Sequence, residues 1–533
     1  MLILPPGWEA ANAPVANALA RFPPLVCWAA AVALLVAGLV LATRAPRWAV
    51  LLAAGAALAL GVAADGLVDD AHIQFRYAQN LAAGHGMVFN PGERIEGASG
   101  GVWIGALAIG PLIGADAGVW GRLLSLALTV LATLAAGAAG ARIGGARAGA
   151  HAALMWASLP TNALYAATGL ETAAYGLVLW LAVLAAFAGR ARAGWAAGAA
   201  ISALRPEGLV LGVAASPWIR KVGRRPRAVL LGVLGGAAAM VAARLGYFGA
   251  PLPHSVTVKG FTAAAGVGDG LAYLARGALE WWPLLVAVPV LWVTRRALLP
   301  AIAPVAVWTA LVVARGGDWM PGSRYLLPLL VLLVAVAASS PLSRWTRLAV
   351  PLLTVWACLL LLPLPDPGVR VAGSAWRAMA EHRVQSRWWE ALGTLLRRTV
   401  PEGTTLASGP SGALPYASGM RTFDMFGLCS VVTAHRAGGT GHRLWGIQQA
   451  VGQRDIIYIG SVLPQVLDPR AVAAAAEEQV ATVAGIRPAY QPVLVMHSPE
   501  AHLDVVADVM WVRPTLAPRL ADLAGAAAPT HRP

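Results

Sequence analysis

Two adjacent carboxylates, Asp69 and Asp70, open the stretch GLVDDAHIQFRYAQNLAAGHGMVFNPGERIEG, residues 66–97. One acid at a helix start is accounted for as an N-cap, which satisfies orphan N–H groups and favours the helix dipole. A helix needs one cap. The second acid therefore calls for another use, because an idle carboxylate beside a bilayer is costly. Such a pair can take a proton from an attacking hydroxyl, or hold a divalent cation such as Ca²⁺ or Mg²⁺. His72 and Arg76 follow Asp69 at spacings of three and four, so the three share one helix face. Ile73, Phe75, Tyr77, Ala78 and Leu81 suit a helix lying at a membrane interface.

Further polar islands interrupt long apolar runs. TGLETAAYG carries Glu171 and LRPEG carries Arg205 and Glu207. PLPHSVTVKG carries His254 and Lys259, and RGGDWMPGSRYLLP carries Asp318 and Arg324. Each alone has an ordinary structural reading: a helix cap, a snorkelling arginine, a Gly-Asp turn. Together they point to a cavity for a polar or anionic substrate, provided that they meet on one side of a membrane.

The elements that must position them are transmembrane helices. The chain has 533 residues, 58% hydrophobic and 12% charged, with a mean hydropathy of +0.65. Apolar runs are expected to span near 25–43, 48–64, 117–140, 149–160, 174–188, 193–203, 208–218, 228–248, 281–294, 300–314, 325–340 and 347–364, about 11 or 12 crossings in all. The run 101–114 reads as re-entrant or interfacial. The net charge of +15 is no sign of a nucleic-acid partner. It gathers in short loops free of acids, at Arg44 and Arg47, Arg142 and Arg147, Arg190 and Arg192, Arg220–Arg227, Arg295 and Arg296, and Arg344 and Arg347. The positive-inside rule assigns these loops to the cytoplasm. Counting crossings then puts the acidic islands and the N-terminus outside, with the first apolar run an anchor rather than a cleaved signal.

Past residue 365 the pattern changes. The remainder holds 13 of the 25 acids and no spanning run. Helical pattern at 376–398 and 470–485 and strand-like runs at 404–407 and 455–460 predict a soluble α/β domain. The three cysteines, Cys27, Cys358 and Cys429, predict no intramolecular bridge. No Walker loop, Rossmann fingerprint or H-E-x-x-H is present, which weighs against ATP-driven transport and zinc hydrolysis.

The motifs DDAHIQFRYAQNLAAGHGMVFNPGERIEG, ATGLETAAYGL, LRPEG, PLPHSVTVKG, GGDWMPGSRYLLP and SGALPYASGMRTFDMFGL, in this order between about Asp65 and Leu428, resemble those of one family. It is the bacterial polytopic glycosyltransferases of the GT-C fold, especially the mycobacterial terminal β-(1→2)-arabinofuranosyltransferase and its relatives. The chain departs from it in an extra N-terminal span and in His72, where relatives commonly carry an aromatic residue. The hydropathy divides the chain into an N-terminal segment with the extra span over 1–47 and a GT-C-like transmembrane domain over 48–365, whose first extracytoplasmic loop, 65–116, carries interfacial helices. The resemblance implies an extracytoplasmic domain over 366–533. It further implies a multi-pass protein of the plasma (inner) membrane that moves a sugar, D-arabinofuranose as the best match, from a polyprenyl monophosphate to an extracytoplasmic cell-envelope glycan.

That chemistry assigns roles. A carboxylate must receive the acceptor's hydroxyl proton, and cations must hold the leaving phosphate. Asp69 is the candidate base, with Asp70 orienting the acceptor or holding a divalent cation, an option rather than a need for a monophosphate leaving group. Arg324, Lys259 and His254 are candidates for the phosphate. Asp318, Glu171, Glu207, Arg205, His72 and Arg76 are candidates for the acceptor and the cavity wall. If donor and product are both β-linked, a single displacement fails and Asp69 becomes a candidate nucleophile instead. Two other classes stay open: a lipid-linked sugar transporter or flippase, for which internal repeats and mid-membrane acids are expected, and a membrane-anchored glycan-binding protein.

Overall fold

The computed structural model describes residues 2–4, 23–213, 226–259, 266–284, 302–318, 320–339, 344–361, 375–430, 454–462, 491–497 and 506–520. Arg220, Lys221, Arg224, Arg225, Arg295, Arg296, most of the expected span 281–294, the helical stretch near 470–485 and the side chain of Lys259 lie outside the described residues.

The chain is a polytopic helical membrane protein with a small sheet unit in its C-terminal part. Among the described residues, four helices are long and apolar enough to cross a bilayer: α1 (Pro24–Leu41), α2 (Pro46–Ala63), α5 (Ala117–Gly144) and most of α10 (Pro226–Phe248). The helix α3 (Asp69–Ala82) follows α2, and α4 (Gly101–Leu112) packs beside it. At 1.5 Å per residue, the 12 residues of α4 reach about 18 Å, short of the roughly 30 Å hydrocarbon core, as do the 12 residues of Ala146–Ala157. Next come α6 (Ala146–Ala157) and α7 (Pro160–Tyr165), separated because Pro160 disfavours helix at Leu159 and restarts it at its own position. Then follow α8 (Thr172–Ala188) and α9 (Ala191–Leu204). Beyond α10 lie α11 (His254–Lys259), α12 (Val267–Glu280), α13 (Ile302–Ala314), α14 (Leu327–Ser339) and α15 (Arg344–Leu360).

The C-terminal unit sets α16 (Ala375–Thr399) and α17 (Ala413–Ser418) against a six-stranded mixed sheet. Trp388, Leu392 and Leu396 of α16 bury against Leu406, Ile456, Tyr458 and Met510 of the sheet. The strands are β1 (Leu2–Leu4), β2 (Thr405–Ser408), β3 (Arg421–Asp424), β4 (Ile456–Val462), β5 (Gln491–His497) and β6 (Val506–Val512), in the order β1-β5-β6-β4-β2-β3. β1 pairs in parallel with β5, Leu2 opposite Val495 and Leu4 opposite His497. The sequence gives no hint that residues 2–4 join this sheet. Because β1 precedes the first span and β5 follows the last, the chain between them crosses the bilayer an even number of times, which favours twelve spans over eleven.

Helix packing in the membrane uses close backbone contact. A Cβ added at Gly198 of α9 would lie 2.2 Å from the Val229 carbonyl oxygen of α10, and one at Gly232 of α10 would lie 2.0 Å from that of Trp195. Gly194/Gly198 and Gly232/Gly236 each have the small-xxx-small spacing that lets two helices touch without side chains between them. We expect Gly198→Val to force α9 and α10 apart and to cost about 1–3 kcal/mol, as for other overpacked sites. Thermal unfolding in detergent measures it; an unchanged midpoint would refute the contact.

Candidate functional site

The helix α3 carries two faces with different tasks. Asp69, His72 and Arg76 do share one face, as their spacing predicts, but that face meets the C-terminal unit. The Asp69 carboxylate accepts from the N–H groups of Gly412 (3.1 Å) and Ala413 (2.7 Å), at the start of α17. Gly412 is required there: an added Cβ would sit 1.9 Å from the Asp69 carbonyl oxygen. Arg76 donates to the carbonyls of Phe89 (2.7 Å), Pro415 (2.5 Å) and Met420 (2.7 Å) and to Asn90 Oδ1 (2.9 Å). His72 is fully buried, with Nδ1 3.1 Å from the Val68 carbonyl and its ring edge-on to Phe75 and Tyr416. Burial drives the His72 imidazole down to about 4, so it is neutral at physiological pH. His72 and Arg76 are therefore not cavity residues. They fasten α3 to α16 and α17, because the 3–4 spacing that joins them to Asp69 turns them away from the cavity.

The neighbouring face of α3 lines a partly open polar cavity. Asp70, Ile73 and Gln74 contribute from α3, Glu171 from the start of α8, Arg205 and Glu207 from just beyond α9, Ser255 from α11, and Arg324 and Tyr325 from the turn before α14. Thus five polar residues singled out in sequence, separated by up to 254 positions between Asp70 and Arg324, meet in one place. Gln74, Ser255 and Tyr325 also line it. They escape a search for charged groups, although each sits one or four positions from a residue that such a search finds.

The charges inside are already organised. Glu171 accepts from Arg205 Nη2 at 2.8 Å and from Gln74 Nε2 at 3.1 Å, and Glu207 lies 3.6 Å from Arg205 Nη1. Burial pushes the Glu171 carboxyl up, but Arg205, Arg324 and Gln74 together hold it below the usual carboxylate range. Arg205 rests against the rings of Tyr175 and Tyr325. Asp318 does not line the cavity. It stands behind Arg324 and takes its Nε (2.5 Å) and Nη2 (3.5 Å), which leaves Nη1 without a hydrogen bond among the described residues. The turn that presents Arg324 is fixed from several sides. Ser323 has φ 52°, the one positive value among the described non-glycine residues. Glu280 accepts from Ser323 and from the Gly322 backbone, Tyr165 donates to the Pro321 carbonyl (2.6 Å), and Tyr273 accepts from the Tyr325 N–H (3.0 Å). His254 points elsewhere, with Nε2 3.1 Å from the Gly427 carbonyl.

Asp69 and Asp70 therefore look in different directions and do not converge as a cation-binding pair. Both Asp69 oxygens are engaged by backbone N–H groups, and no group of three or more metal-ligating side chains converges among the described residues. Next to the polar cavity lies an apolar one, lined by Leu179, Val183 and Phe187 of α8, Ile201 of α9, Val229 of α10 and Val331 of α14. Leu179 is eight residues, about 12 Å of helix, from Glu171. The helices that hold the polar groups at their ends thus form the apolar walls below them.

Burial pushes the Asp69 carboxyl up to about 7, against the lowering effect of the Ala413 and Gly412 N–H groups; Asp70 raises it further. The folded state thus binds this proton more tightly than the unfolded chain, whose value is 3.8. The stabilisation is complete below pH 4 and fades as pH rises through 7. Asp69→Asn should remove this component, so that the difference in unfolding midpoint between wild type and variant changes across pH 4–7. A difference that stays constant with pH would contradict the assignment.

Comparison with known proteins places this geometry. The family described as "Domain of unknown function (DUF8728)" matches residues 375–506. The terminal beta-(1->2)-arabinofuranosyltransferase of Mycobacterium tuberculosis is 30% identical over 334 residues, 51% of this chain and 52% of that protein. Its namesake in Corynebacterium glutamicum is 27% identical over 382 residues, 60% of this chain and 54% of that protein. The chain therefore spans about half the length of the curated relatives it matches. Among solved structures, ArnT from Cupriavidus metallidurans bound to undecaprenyl phosphate aligns with a TM-score of 0.52 at 13% identity, over 87% of this chain and 98% of ArnT. Its apo form gives 0.50 at 14% identity, over 86% and 95%. The chain has the fold of ArnT, and over half of its length its sequence is similar to the terminal β-(1→2)-arabinofuranosyltransferases.

Proposed function

We propose that this protein transfers a sugar, D-arabinofuranose, from a polyprenyl monophosphate to an extracytoplasmic glycan of the cell envelope such as arabinogalactan or lipoarabinomannan. The observation that carries the reading is the polar cavity stacked on an apolar one. Acids and arginines for a phosphosugar and a hydroxyl acceptor sit at the ends of the helices whose apolar sides would face a polyprenyl chain. The names of the sequence relatives, and undecaprenyl phosphate bound to a protein of the same fold, support it.

In this reading Asp70, rather than Asp69, faces the reaction. The acceptor hydroxyl attacks the anomeric carbon, its proton passes to Asp70, the C1–O bond to phosphate breaks, and the polyprenyl phosphate leaves as an anion. Nη1 of Arg324 is the donor offered to that phosphate, with Asp318 holding the guanidinium in orientation. Arg205, neutralised by Glu171 and Glu207, and Gln74 are placed to meet sugar hydroxyls. Asp69 positions Asp70 by fixing the first turn of α3 to α17. A β-linked donor giving a β-linked product would make Asp70 the nucleophile of a double displacement. The proposed site and the C-terminal unit face outward from the plasma membrane.

Transfer of labelled sugar from synthetic polyprenyl phosphoarabinose to a glycan acceptor tests the roles. Asp70→Asn should lose about two to four orders of magnitude in kcat with its unfolding midpoint intact, the loss expected for a general base. Arg324→Lys should raise donor KM and lower kcat, because a fork becomes a point charge. Wild-type rates in both variants would remove the transferase reading. Loss in Asp69→Asn beside an active Asp70→Asn would return the base to Asp69.

Orientation is tested by single cysteines in a background free of native ones. An impermeant thiol reagent should label position 85, an exposed site in the loop after α3, in intact cells, and position 146 only after permeabilisation. The reverse pattern would invert the topology.

A further inference from the structure

We infer that a groove between α5, α8 and α9, on the membrane face opposite the polar cavity, binds an anionic phospholipid. The groove is partly open and holds about 530 Å³. Its walls are Val178, Leu181 and Leu184 of α8 and a row of alanines, among them Ala193 and Ala196 of α9. Arg142 and Arg190 complete it.

The structure itself places these two arginines far from the polar cavity. Asp116 caps the start of α5 and accepts from Tyr416 of the C-terminal unit at 2.7 Å, whereas Arg142 is in the last turn of α5. The 26 residues between them are about 39 Å of helix, enough to cross the bilayer. Arg190 lies 19 residues, about 28 Å of helix, from Glu171 in the polar cavity. Both arginines therefore sit at the other interface.

Dimensions and charge identify the occupant. From Val178 to Ala188 the groove follows α8 for about 15 Å, half of the roughly 30 Å hydrocarbon core and hence the depth of one leaflet. Small alanine side chains leave room for an acyl chain, and Leu181 is already 39% exposed. Neither arginine has a side-chain hydrogen bond or ion pair among the described residues, and no acid lines the groove. Two unpaired guanidiniums attract a phosphodiester and repel a choline or ethanolamine ammonium. The chemistry thus selects a headgroup of net negative charge, such as phosphoglycerol or phosphoinositol, as basic pockets between transmembrane helices do elsewhere. This inference is independent of the proposed transfer reaction.

The test is native mass spectrometry of the full-length protein exchanged into mixed micelles of phosphatidylglycerol and phosphatidylcholine, with unfolding midpoints taken in each lipid. Wild type should retain phosphatidylglycerol about thirtyfold over phosphatidylcholine, since two basic side chains contribute. Arg142→Gln/Arg190→Gln should abolish that preference while leaving the midpoint in phosphatidylcholine unchanged. Ala196→Phe, which fills the groove from its exposed wall, should reduce retention of both lipids. Equal retention of the two lipids by wild type, or an undiminished preference in the double glutamine variant, would overturn the proposal; the latter would assign headgroup selection to other basic segments.

Discussion

Everything in the site depends on how α3 grips α17. Asp69 meets the N–H groups at the start of α17, and Arg76 takes the Pro415 and Met420 carbonyls towards its end. The acid thus lies at the positive end of the short helix and the base at its negative end, each complementing the local dipole. The match is geometric as well as electrostatic. Seven residues of α3 advance about 10.5 Å, and the six residues of α17 about 9 Å. A helix that could not be stable by itself is clamped at both ends, and in return it fixes the rotation of α3. That rotation decides which acid looks into the cavity. The loop after α3 reinforces it: Asn90 exchanges hydrogen bonds with the backbone of Thr422 (2.8 and 3.1 Å), in the manner of an adjoining strand.

Carboxylates outnumber arginines around the cavity before any substrate arrives, and three of the four are paired with an arginine. Asp70, Glu171 and Glu207 face Arg205 and Arg324, and Asp318 stands behind Arg324. Isolated charges at such depth would be costly, so pairing is what allows them to be there. Pairing also sets orientation. Asp318 holds one edge of the Arg324 guanidinium and leaves another nitrogen for the cavity, which a lone arginine on a flexible stem would not do reproducibly. The strained backbone at Ser323, held by Glu280 and flanked by the Tyr165 and Tyr273 contacts, serves the same end.

Much of this was legible in sequence, and the reasons are particular. Hydropathy revealed the spans, because a bilayer imposes length and apolarity on each segment separately. Glu171, Arg205, Glu207 and Arg324 stood out because charge is rare in such surroundings. The i, i+3, i+7 relation of Asp69, His72 and Arg76 was readable too. Its destination was not, since periodicity says which residues share a face and is silent on what the face touches. Asp69 looked like the reactive acid and is a cap on another helix, 343 residues away in the chain. The option of a cation between Asp69 and Asp70 likewise finds no third converging ligand among the described residues. Gln74 and Tyr325 were missed because neutral polar residues carry no signal until a fold surrounds them.

The pairing of β1 with β5 has a temporal consequence. Residues 2–4 are made long before their partner strand, which follows almost five hundred residues later. Until then the strand has open hydrogen-bonding groups and nothing native to satisfy them, the condition under which edge strands find wrong partners. Equilibrium penalises this separation little, because loop-closure entropy grows with the logarithm of length and a tenfold longer loop costs only about 2 kcal/mol more. Kinetics penalises it more: completion of the sheet must wait for synthesis and insertion of every intervening helix. The contact of residues 2–4 with β5 therefore forms only on a chain whose intervening helices have all been synthesised.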